Sequence, residues 1–439
     1  MLLKSIAVAL AAFTGLASAL PADVTTQPAS TLETRANVPR SVFAHYMLGL
    51  TSGQSYEEWQ TEISDAKGAG IDGFALNAGP SDGWNAEQLA NAFNAADAAG
   101  FSLFISFDMG DQYTWSVDQV TSWVNDWKGR SSYFKVDGLP LVSTFGGPAW
   151  ADNWAAVRSG TGGIFLVPEW ASLGPAGVAN HLDKIDGAFS WNAWPQADGS
   201  IMFPVEDKAY QQVLGDKAYM MGVSPYFYVD LPTWGKNWYS SSDSLWFDRL
   251  KMTQEVMPSM IQIITWNDYS ESSYLKAPVA HQIVSGAETY VNDHDHTALR
   301  FVLPYFINSY KAGTTDGINI DSEGAVVWYR TTPKNVCGDG GTVWGQGGSQ
   351  SATLGTEDVV SVIALLDSAG TVDISVGGVT TTASAINQIG KAYHFKVPLN
   401  GRTGEVTVSF NGRSATGPSI TNSCPSTGNV NFNAVSFQV

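Results

Sequence analysis

Two carboxylates three residues apart, Asp268 and Glu271, follow an apolar stretch in the segment Ile261–Ser272. Trp266 and Tyr269 flank them. Hydrolysis of a glycosidic bond needs one protonated carboxyl that donates to the leaving oxygen, and one ionised carboxylate that activates water or attacks carbon. Aromatic desolvation and like-charge repulsion separate the pKa values of such a pair. We therefore interpret Glu271 as the acid and Asp268 as the base, with the reverse assignment open.

Both carboxylates also have a purely structural interpretation. Glu271 fits a carboxylate in the first turn of a helix, where the helix dipole favours it. Asp268 fits a turn or N-cap residue. We give the catalytic interpretation preference because further polar and aromatic residues stand at the ends of other predicted strands.

These further residues follow apolar segments in the same way as Asp268. If the strands are parallel, their carboxyl ends meet on one face, where barrel enzymes keep their active sites. The predicted substrate-binding residues are His45, Asn77, Asp108, Glu169, Trp191, Asn192, Trp194, Tyr226, Trp266 and Asn267. Structural roles remain open, above all a hydrogen bond to a carbonyl for His45, an arginine partner for Asp108 and a place in the core for a lone tryptophan.

Eight apolar, β-like segments alternate with helical signals between residues 42 and 266. Ser55 and Glu58 form a capping-box pattern at the first helix start, and Ser116, Ser172 and Ser242 are candidate starts of later helices. The alternation predicts an α/β fold with a (β/α)8 TIM barrel over residues 39–315. A doubly wound open sheet is the alternative, but no glycine fingerprint follows the first strand. The predicted strands are Val42–Met47, Gly73–Asn77, Ser102–Asp108, Pro140–Phe145, Ile164–Val167, Ala188–Trp191, Tyr219–Val223 and Gln262–Trp266.

Residues 316–439 have a different sequence pattern, with short strand-like segments separated by Gly, Asn, Asp and Ser. This pattern predicts a C-terminal all-β sandwich domain. Its glycine-rich loop, Gly338–Gly348, lacks the lysine and the strand–helix context of a phosphate-binding loop. The predicted strands are Val326–Arg330, Val359–Leu366, Val372–Val376, His394–Val397 and Glu405–Phe410.

The segment Asn292–His296 alternates histidine with aspartate but matches no zinc spacing. We interpret it as a capping and hydrogen-bonding cluster, and we expect no metal site. The sequence also contains no serine-nucleophile elbow and no P-loop.

The first residues have the plan of a secretory signal peptide, residues 1–19, with Lys4, an apolar core and the small residues Ala17–Ala19. Residues 20–38 are predicted to be a leader or pro-segment. We therefore expect a secreted, extracellular or wall-associated protein. In an oxidising compartment Cys337 and Cys424 are predicted to form a disulfide, the alternative being two buried thiols.

The formal net charge of the chain is −18 at pH 7. Such acidity disfavours nucleic acids and anionic membranes as partners. It favours a neutral or cationic partner, or an acidic working pH. We expect a polysaccharide as partner and a monomeric protein. The 16 tryptophans provide rings for stacking on sugars, although most must lie in the core.

Ten short motifs, in this order, connect the chain to a known family: Val42–Met47, Ala69–Asn77, Ser106–Met109, Val142–Phe145, Val167–Trp170, Phe189–Pro195, Val223–Tyr228, Lys236–Trp238, Ile264–Ser272 and Val327–Lys334. With them the chain resembles glycoside hydrolase family 71, the fungal endo-α-1,3-glucanases or mutanases, over nearly everything after the leader. The resemblance implies a barrel fused to a β-sandwich and endo-hydrolysis of α-1,3-glucan with inversion and without a cofactor. It also implies that Asp268 and Glu271 are the catalytic carboxylates.

Two positions depart from the family pattern. Gly146 stands where the family often has Glu, and Ser270 where it often has Gly. A carboxylate lost at a strand end affects a subsite or the substrate preference. Two alternatives therefore stay open, a hydrolase of another α-linked polysaccharide and a non-catalytic protein that binds wall glucan.

Overall fold

A computed structural model describes residues 38–439 of the chain. The predicted signal peptide, and the predicted leader up to residue 37, lie outside the described residues. Within this range no helix is both long and apolar enough to cross a membrane.

Eight parallel strands close into a barrel, which confirms the predicted fold class. In chain order, β1 to β8 are Ser41–Met47, Gly73–Ala78, Ser102–Asp108, Leu139–Phe145, Phe165–Glu169, Gly187–Ser190, Ala218–Val223 and Met260–Ile263. The barrel closes where β1 pairs with β8, in a register that sets Ser41 opposite Met260 and Ala44 opposite Ile263. Most strand residues are buried on both faces because helices cover the outside of a barrel. The eighth strand ends at Ile263, three residues earlier than predicted.

Helices connect these strands. Ser55 caps the first of them with the predicted capping box, and Ser116 caps the third in the same way through Gln119. Two predicted starts are wrong. Ser172 lies inside a 3-10 helix, Ala171–Leu173, and the next α-helix begins at Gly174. The helix predicted to start at Ser242 begins at Leu245, with Ser244 at its N-cap position. In chain order, α1 to α8 are Tyr56–Gly68, Asn85–Ala99, Val117–Trp127, Trp154–Thr161, Gly174–Val178, Val205–Leu214, Leu245–Val256 and Leu303–Ala312. One further turn of helix spans Glu288–Val291, and another spans Ala352–Gly355.

A β-hairpin interrupts the connection between β7 and α7. Its strands, Tyr228–Leu231 and Lys236–Tyr239, pair antiparallel, and we call Tyr228–Tyr239 the lysine hairpin. A two-residue strand, Val343–Trp344, pairs in parallel with the second strand of the hairpin. A second short pairing joins Lys135–Val136 to the start of β4.

The C-terminal part has two antiparallel sheets, of five and four strands. All five predicted strands are present, and four further strands of these two sheets were not predicted. The five-stranded sheet contains, in spatial order, Asn387–Ile389, Ala392–Pro398, Val359–Leu365, Gly324–Tyr329 and Val435–Gln438. The four-stranded sheet contains Val379–Ser384, Thr371–Val376, Gly404–Phe410 and Arg413–Ile420. Cys337 and Cys424 are disulfide-bonded, as predicted, with 5.7 Å between their Cα atoms.

The barrel and the five-stranded sheet share one hydrophobic core. Trp328, Ile363 and Leu365 belong to the same cluster of buried side chains as the barrel strands. The space between the two sheets forms a second, smaller core that includes Val360 and Phe395. His296 bridges the two parts, because its ring nitrogens contact the carbonyl oxygens of Tyr274 and Ala434. The contacts of His294 and His296 with backbone carbonyls agree with the hydrogen-bonding interpretation of this segment.

Candidate active site

The segment after β8 carries the carboxylate pair and is fixed to β1. The backbone N–H of Trp266 donates to the carbonyl of His45, and the N–H of Met47 donates to Oδ1 of Asn267 at 2.8 Å. The N–H of Asp268 donates to Oγ1 of Thr265 at 2.8 Å. These bonds continue the closure of the barrel beyond the regular strands, so the pair stands at the carboxyl-terminal mouth.

Asp268 is 8% exposed, and one of its two oxygens is held by its own loop. Oδ1 accepts from the Ser270 hydroxyl at 2.6 Å and from the backbone nitrogen of Glu271 at 3.1 Å. Among residues 38–439 the structure shows no hydrogen bond to Oδ2, so this oxygen is the one that can accept from a water molecule. The two hydrogen bonds to Oδ1 orient the carboxylate and leave Oδ2 available to accept a proton.

Glu271 lies beside Asp268, and its Oε1 is 3.1 Å from Nζ of Lys236. Burial, and to a lesser extent the negative charge of Asp268, raise the pKa of Glu271 to about 7. The positive charge of Lys236 opposes both effects but does not cancel them. A carboxyl with a pKa near neutrality keeps its proton in mildly acidic solution, as a general acid requires.

Lys236 is a candidate functional residue to which sequence reasoning gave no role in the site, although it begins one of the ten motifs named above. The charges of Glu271, Asp268 and Asp108 all raise the pKa of its ammonium group, with Glu271 the largest cause. The lysine therefore stands among carboxylates from β3 and from the segment after β8. One signal was available: Lys236 lies in the connection after β7, which opens on the same face of the barrel as the other strand ends.

Asp108 and Glu169 form a second acidic group at the mouth. Glu169 is buried, and its oxygens accept from the backbone N–H groups of Gly146 at 2.9 Å and Ala171 at 2.7 Å. It ties together the loops after β4 and β5, which is a structural role. Asp108 is half-buried, and burial raises its pKa. The charge of Asp82, which sequence reasoning missed, raises that pKa further.

Trp191 lies over the barrel mouth. Its ring makes edge-to-face contacts with His45, Phe145 and Phe189, at centroid distances of 4.9, 4.9 and 5.7 Å, and remains partly exposed. Trp194 is its neighbour at 6.3 Å. A partly exposed indole supported by three rings is suited to stack on a sugar face.

Asn192 and Trp194 stand on the same loop as Trp191. The Asn192 side-chain amide donates to the carboxylate of Glu206, and Nε1 of Trp194 donates to the carbonyl of Tyr226 at 3.2 Å. Both side chains are partly exposed, so they reach the mouth while being anchored from below.

The structure places three predicted binding residues in the framework instead of the mouth. Trp266 has no exposed surface, and its Nε1 donates to Oε2 of Glu62 at 2.6 Å. Tyr226 donates its hydroxyl to the carbonyl of Phe432 at 2.8 Å. Asn267 is buried, and its side-chain amide forms hydrogen bonds with both the backbone N–H and the carbonyl of Met47.

Asn77 and His45 are also buried, at the ends of β2 and β1. His45 contacts Nε2 of Gln262 through Nδ1 at 2.8 Å, and burial lowers its pKa to about 3. The imidazole is therefore neutral, and it supports Trp191 from below. Nδ2 of Asn77 has no hydrogen-bond partner within the described chain.

A closed (β/α)8 barrel with a carboxylate pair and exposed tryptophans at its carboxyl-terminal mouth defines a glycoside hydrolase type of architecture. Among residues 38–439 no group of three or more His, Cys, Asp or Glu side chains is arranged to hold a metal ion. Residues 38–439 match the sequence profile of glycosyl hydrolase family 71, and the chain belongs to this family.

Three comparisons show how close its relatives are. The chain is 33% identical to a glucan endo-1,3-alpha-glucosidase of Schizosaccharomyces pombe, over 92% of this chain and 96% of the relative. It is also 33% identical to a mutanase of Penicillium rubens, over 92% and 91% of the two chains. The structure of the GH99 endo-alpha-mannosidase of Bacteroides thetaiotaomicron is similar in fold, with a TM-score of 0.50 and 14% identity over 64% of this chain and 99% of that chain.

Proposed function

We propose that this protein is an endo-acting hydrolase of α-1,3-glucosidic bonds in α-1,3-glucan. The observation that carries the proposal is the pair at the barrel mouth, in which Glu271 has a pKa raised to about 7 next to Asp268. Both relatives described above, and an ascus wall endo-1,3-alpha-glucanase of Schizosaccharomyces pombe at 30% identity, are named for this type of bond.

In the proposed mechanism Glu271 donates its proton to the glycosidic oxygen as the bond from that oxygen to the anomeric carbon breaks. Asp268 accepts a proton from a water molecule whose oxygen forms the new bond to the same carbon from the opposite face. The anomeric configuration inverts in a single displacement. Trp191 supplies the stacking surface for a sugar ring, and neither step requires a cofactor.

The proposal is tested with Asp268→Asn and Glu271→Gln. Each removes one proton-transfer group at nearly constant volume, and we expect a loss of about 10²-fold or more in reducing ends released from α-1,3-glucan. Glu57→Gln, an exposed change in the first turn of α1, is the matched control and should keep full activity. If a folded Asp268→Asn or Glu271→Gln variant turns over at nearly the wild-type rate, the assignment of roles is wrong.

The substrate and the stereochemistry need their own experiment. Proton NMR of the first product shows whether the new reducing end is the β-anomer, as inversion of an α-linkage requires. A panel of α-1,3-glucan, mixed α-1,3/1,4-glucan and α-mannan separates the proposed substrate from the alternative polysaccharides. Binding to glucan without release of any sugar would support a wall-binding protein instead.

We further propose that the protein is secreted and acts on wall glucan as a monomer. The sequence of residues 1–19 and the acidic composition support this. N-terminal sequencing of the protein from culture medium, together with its mass in solution, tests both parts.

A further inference from the structure

The glycine-rich loop Gly338–Gly348 belongs to the C-terminal part of the chain, but it packs against the lysine hairpin of the barrel. Trp238 pairs with Val343, and Tyr239 pairs with Trp344. The N–H of Gly345, at a φ of +80°, donates to the carbonyl of Tyr239 at 2.8 Å. The loop is therefore the third strand of the small sheet that contains Lys236.

Polar side chains lock this pairing next to Lys236. Oγ1 of Thr342 donates to Oδ1 of Asn237 at 2.8 Å, and Nδ2 of Asn237 donates to the carbonyl of Gly340 at 3.1 Å. Thr342 is buried, whereas Asn237 is only partly buried. Because Asn237 directly follows Lys236, these two bonds fix the backbone from which the ammonium group extends.

The loop itself is anchored at both ends. At one end Gly338 accepts from the N–H of Val430 at 2.8 Å, next to the disulfide of Cys337. At the other end Nε1 of Trp344 donates to Oγ of Ser241 at 3.0 Å. The indole fits there because residue 355 is glycine: a Cβ at Gly355 would lie 2.0 Å from Nε1 of Trp344. A loop anchored at both ends in this way can hold a neighbouring strand in place.

We infer that the C-terminal part completes the active site, and that the contact between Thr342 and Asn237 positions Lys236 against Glu271. The consequence for catalysis rests on the proposed function, whereas the positioning itself does not. Thr342 and Asn237 touch no reacting atom and act only through Lys236. The glycine-rich loop then has a role in this protein that is unrelated to nucleotides.

The positive charge of Lys236 connects the contact between Thr342 and Asn237 to the pKa of Glu271. The ammonium group of Lys236 faces Glu271, Asp268 and Asp108, and Glu271 faces Asp268, Lys236 and Tyr290. The lysine is the one cation among these groups and lowers the pKa of Glu271. If Lys236 moves away, the pKa of Glu271 rises, since burial and Asp268 are then opposed by a weaker positive charge.

The experiment measures the pKa of Glu271 directly, by NMR of the full chain with glutamate labelled at the carboxyl carbon and with Glu271→Gln to assign the signal. Lys236→Met should raise the pKa by roughly half a unit, as expected for a partly exposed ion pair. Thr342→Val should raise it in the same direction by less, and Thr342→Ser should restore the wild-type value. Thr407→Val, which removes a hydroxyl bonded to Thr416 in the four-stranded sheet, should change nothing.

The double variant Lys236→Met/Thr342→Val should match Lys236→Met, because Thr342 acts only through the lysine. An unchanged pKa in folded Thr342→Val, or a shift that adds in full to that of Lys236→Met, overturns the inference. If Thr342→Val does not fold, Asn237→Ala gives the same test. It removes the hydrogen-bond partner of Thr342, and Asn237 is the less buried of the two residues. Because the signal does not depend on turnover, a protein inactive on α-1,3-glucan refutes the proposed function and leaves this test intact.

Discussion

Oδ1 of Asp268 accepts a hydrogen bond from the backbone nitrogen of Glu271 at 3.1 Å. The carboxylate interpreted as the base thus caps the turn that presents the acid. The capping role that Asp268 could have on sequence grounds and its catalytic role are compatible, because the cap uses only one oxygen. A spacing of three residues suits such a cap, because a capping side chain accepts from the N–H two or three residues further on.

The first prediction concerns the charge of Asp268. In Asp268→Asn the amide oxygen can still accept from Glu271, so the turn is retained while the negative charge is lost. Since that charge raises the pKa of Glu271, we expect the pKa to fall below its value of about 7. Carboxyl-carbon NMR across the titration measures it. An unchanged or higher pKa would show that the charge of Asp268 does not raise the pKa of Glu271.

The second prediction is that the same substitution, Trp to Phe, affects stability at Trp266 and substrate binding at Trp191. Trp266→Phe removes the bond to buried Glu62, and we expect a loss of about 1–3 kcal/mol in the free energy of unfolding. Trp191→Phe shrinks a partly exposed stacking surface, and we expect KM for glucan to rise by roughly two- to tenfold with stability nearly unchanged. Urea unfolding and initial rates on both variants check this, and the reverse pattern would contradict the placement of the two rings.

The third prediction concerns the buried ion pair of Arg249 and Asp207, 2.9 Å apart behind β7. Arg249→Met leaves a buried carboxylate without its partner, and we expect a loss of about 3–5 kcal/mol in the free energy of unfolding. Lys208→Met is the matched control, because its partner Glu255 is exposed; we expect a loss of at most about 1 kcal/mol there. Equal effects in urea unfolding would refute this distinction.

The fourth prediction concerns the disulfide, whose cysteines are 87 residues apart in sequence. Replacing both cysteines by alanine removes a long covalent loop from the unfolded chain. The chain-entropy model then gives a loss of about 4–5 kcal/mol in the free energy of unfolding. Denaturant unfolding of the double variant against the oxidised wild type measures it, and a loss under about 1 kcal/mol would argue against the entropic account.

The sequence predicted the barrel because its strands are apolar runs buried on both faces, and because these runs alternate with helical signals. Two of the strands that it missed are polar or interrupted. Half of Val379–Ser384 is threonine and most of its side chains are exposed, and Arg413–Ile420 contains both Gly417 and Pro418. Neither has the strong period of two on which recognition of a strand depends.

The errors in the site have a different cause. The eighth strand ends at Ile263, so the following residues turn, and Trp266 and Asn267 point into the framework while Asp268 reaches the mouth. A pattern of residue types does not fix such local rotations. Lys236 was missed because its partner Glu271 is 35 residues away in sequence, and no periodicity connects them.

The bond between Tyr226 and the carbonyl of Phe432 joins residues 206 positions apart. During synthesis the ribosome completes β7 and the loop that contains Tyr226 well before it reaches Phe432. At synthesis rates of about 5–20 residues per second, the interval lasts roughly 10 to 40 s. During this interval the loop after β7 is made without the hydrogen bond that holds Tyr226 in the complete fold.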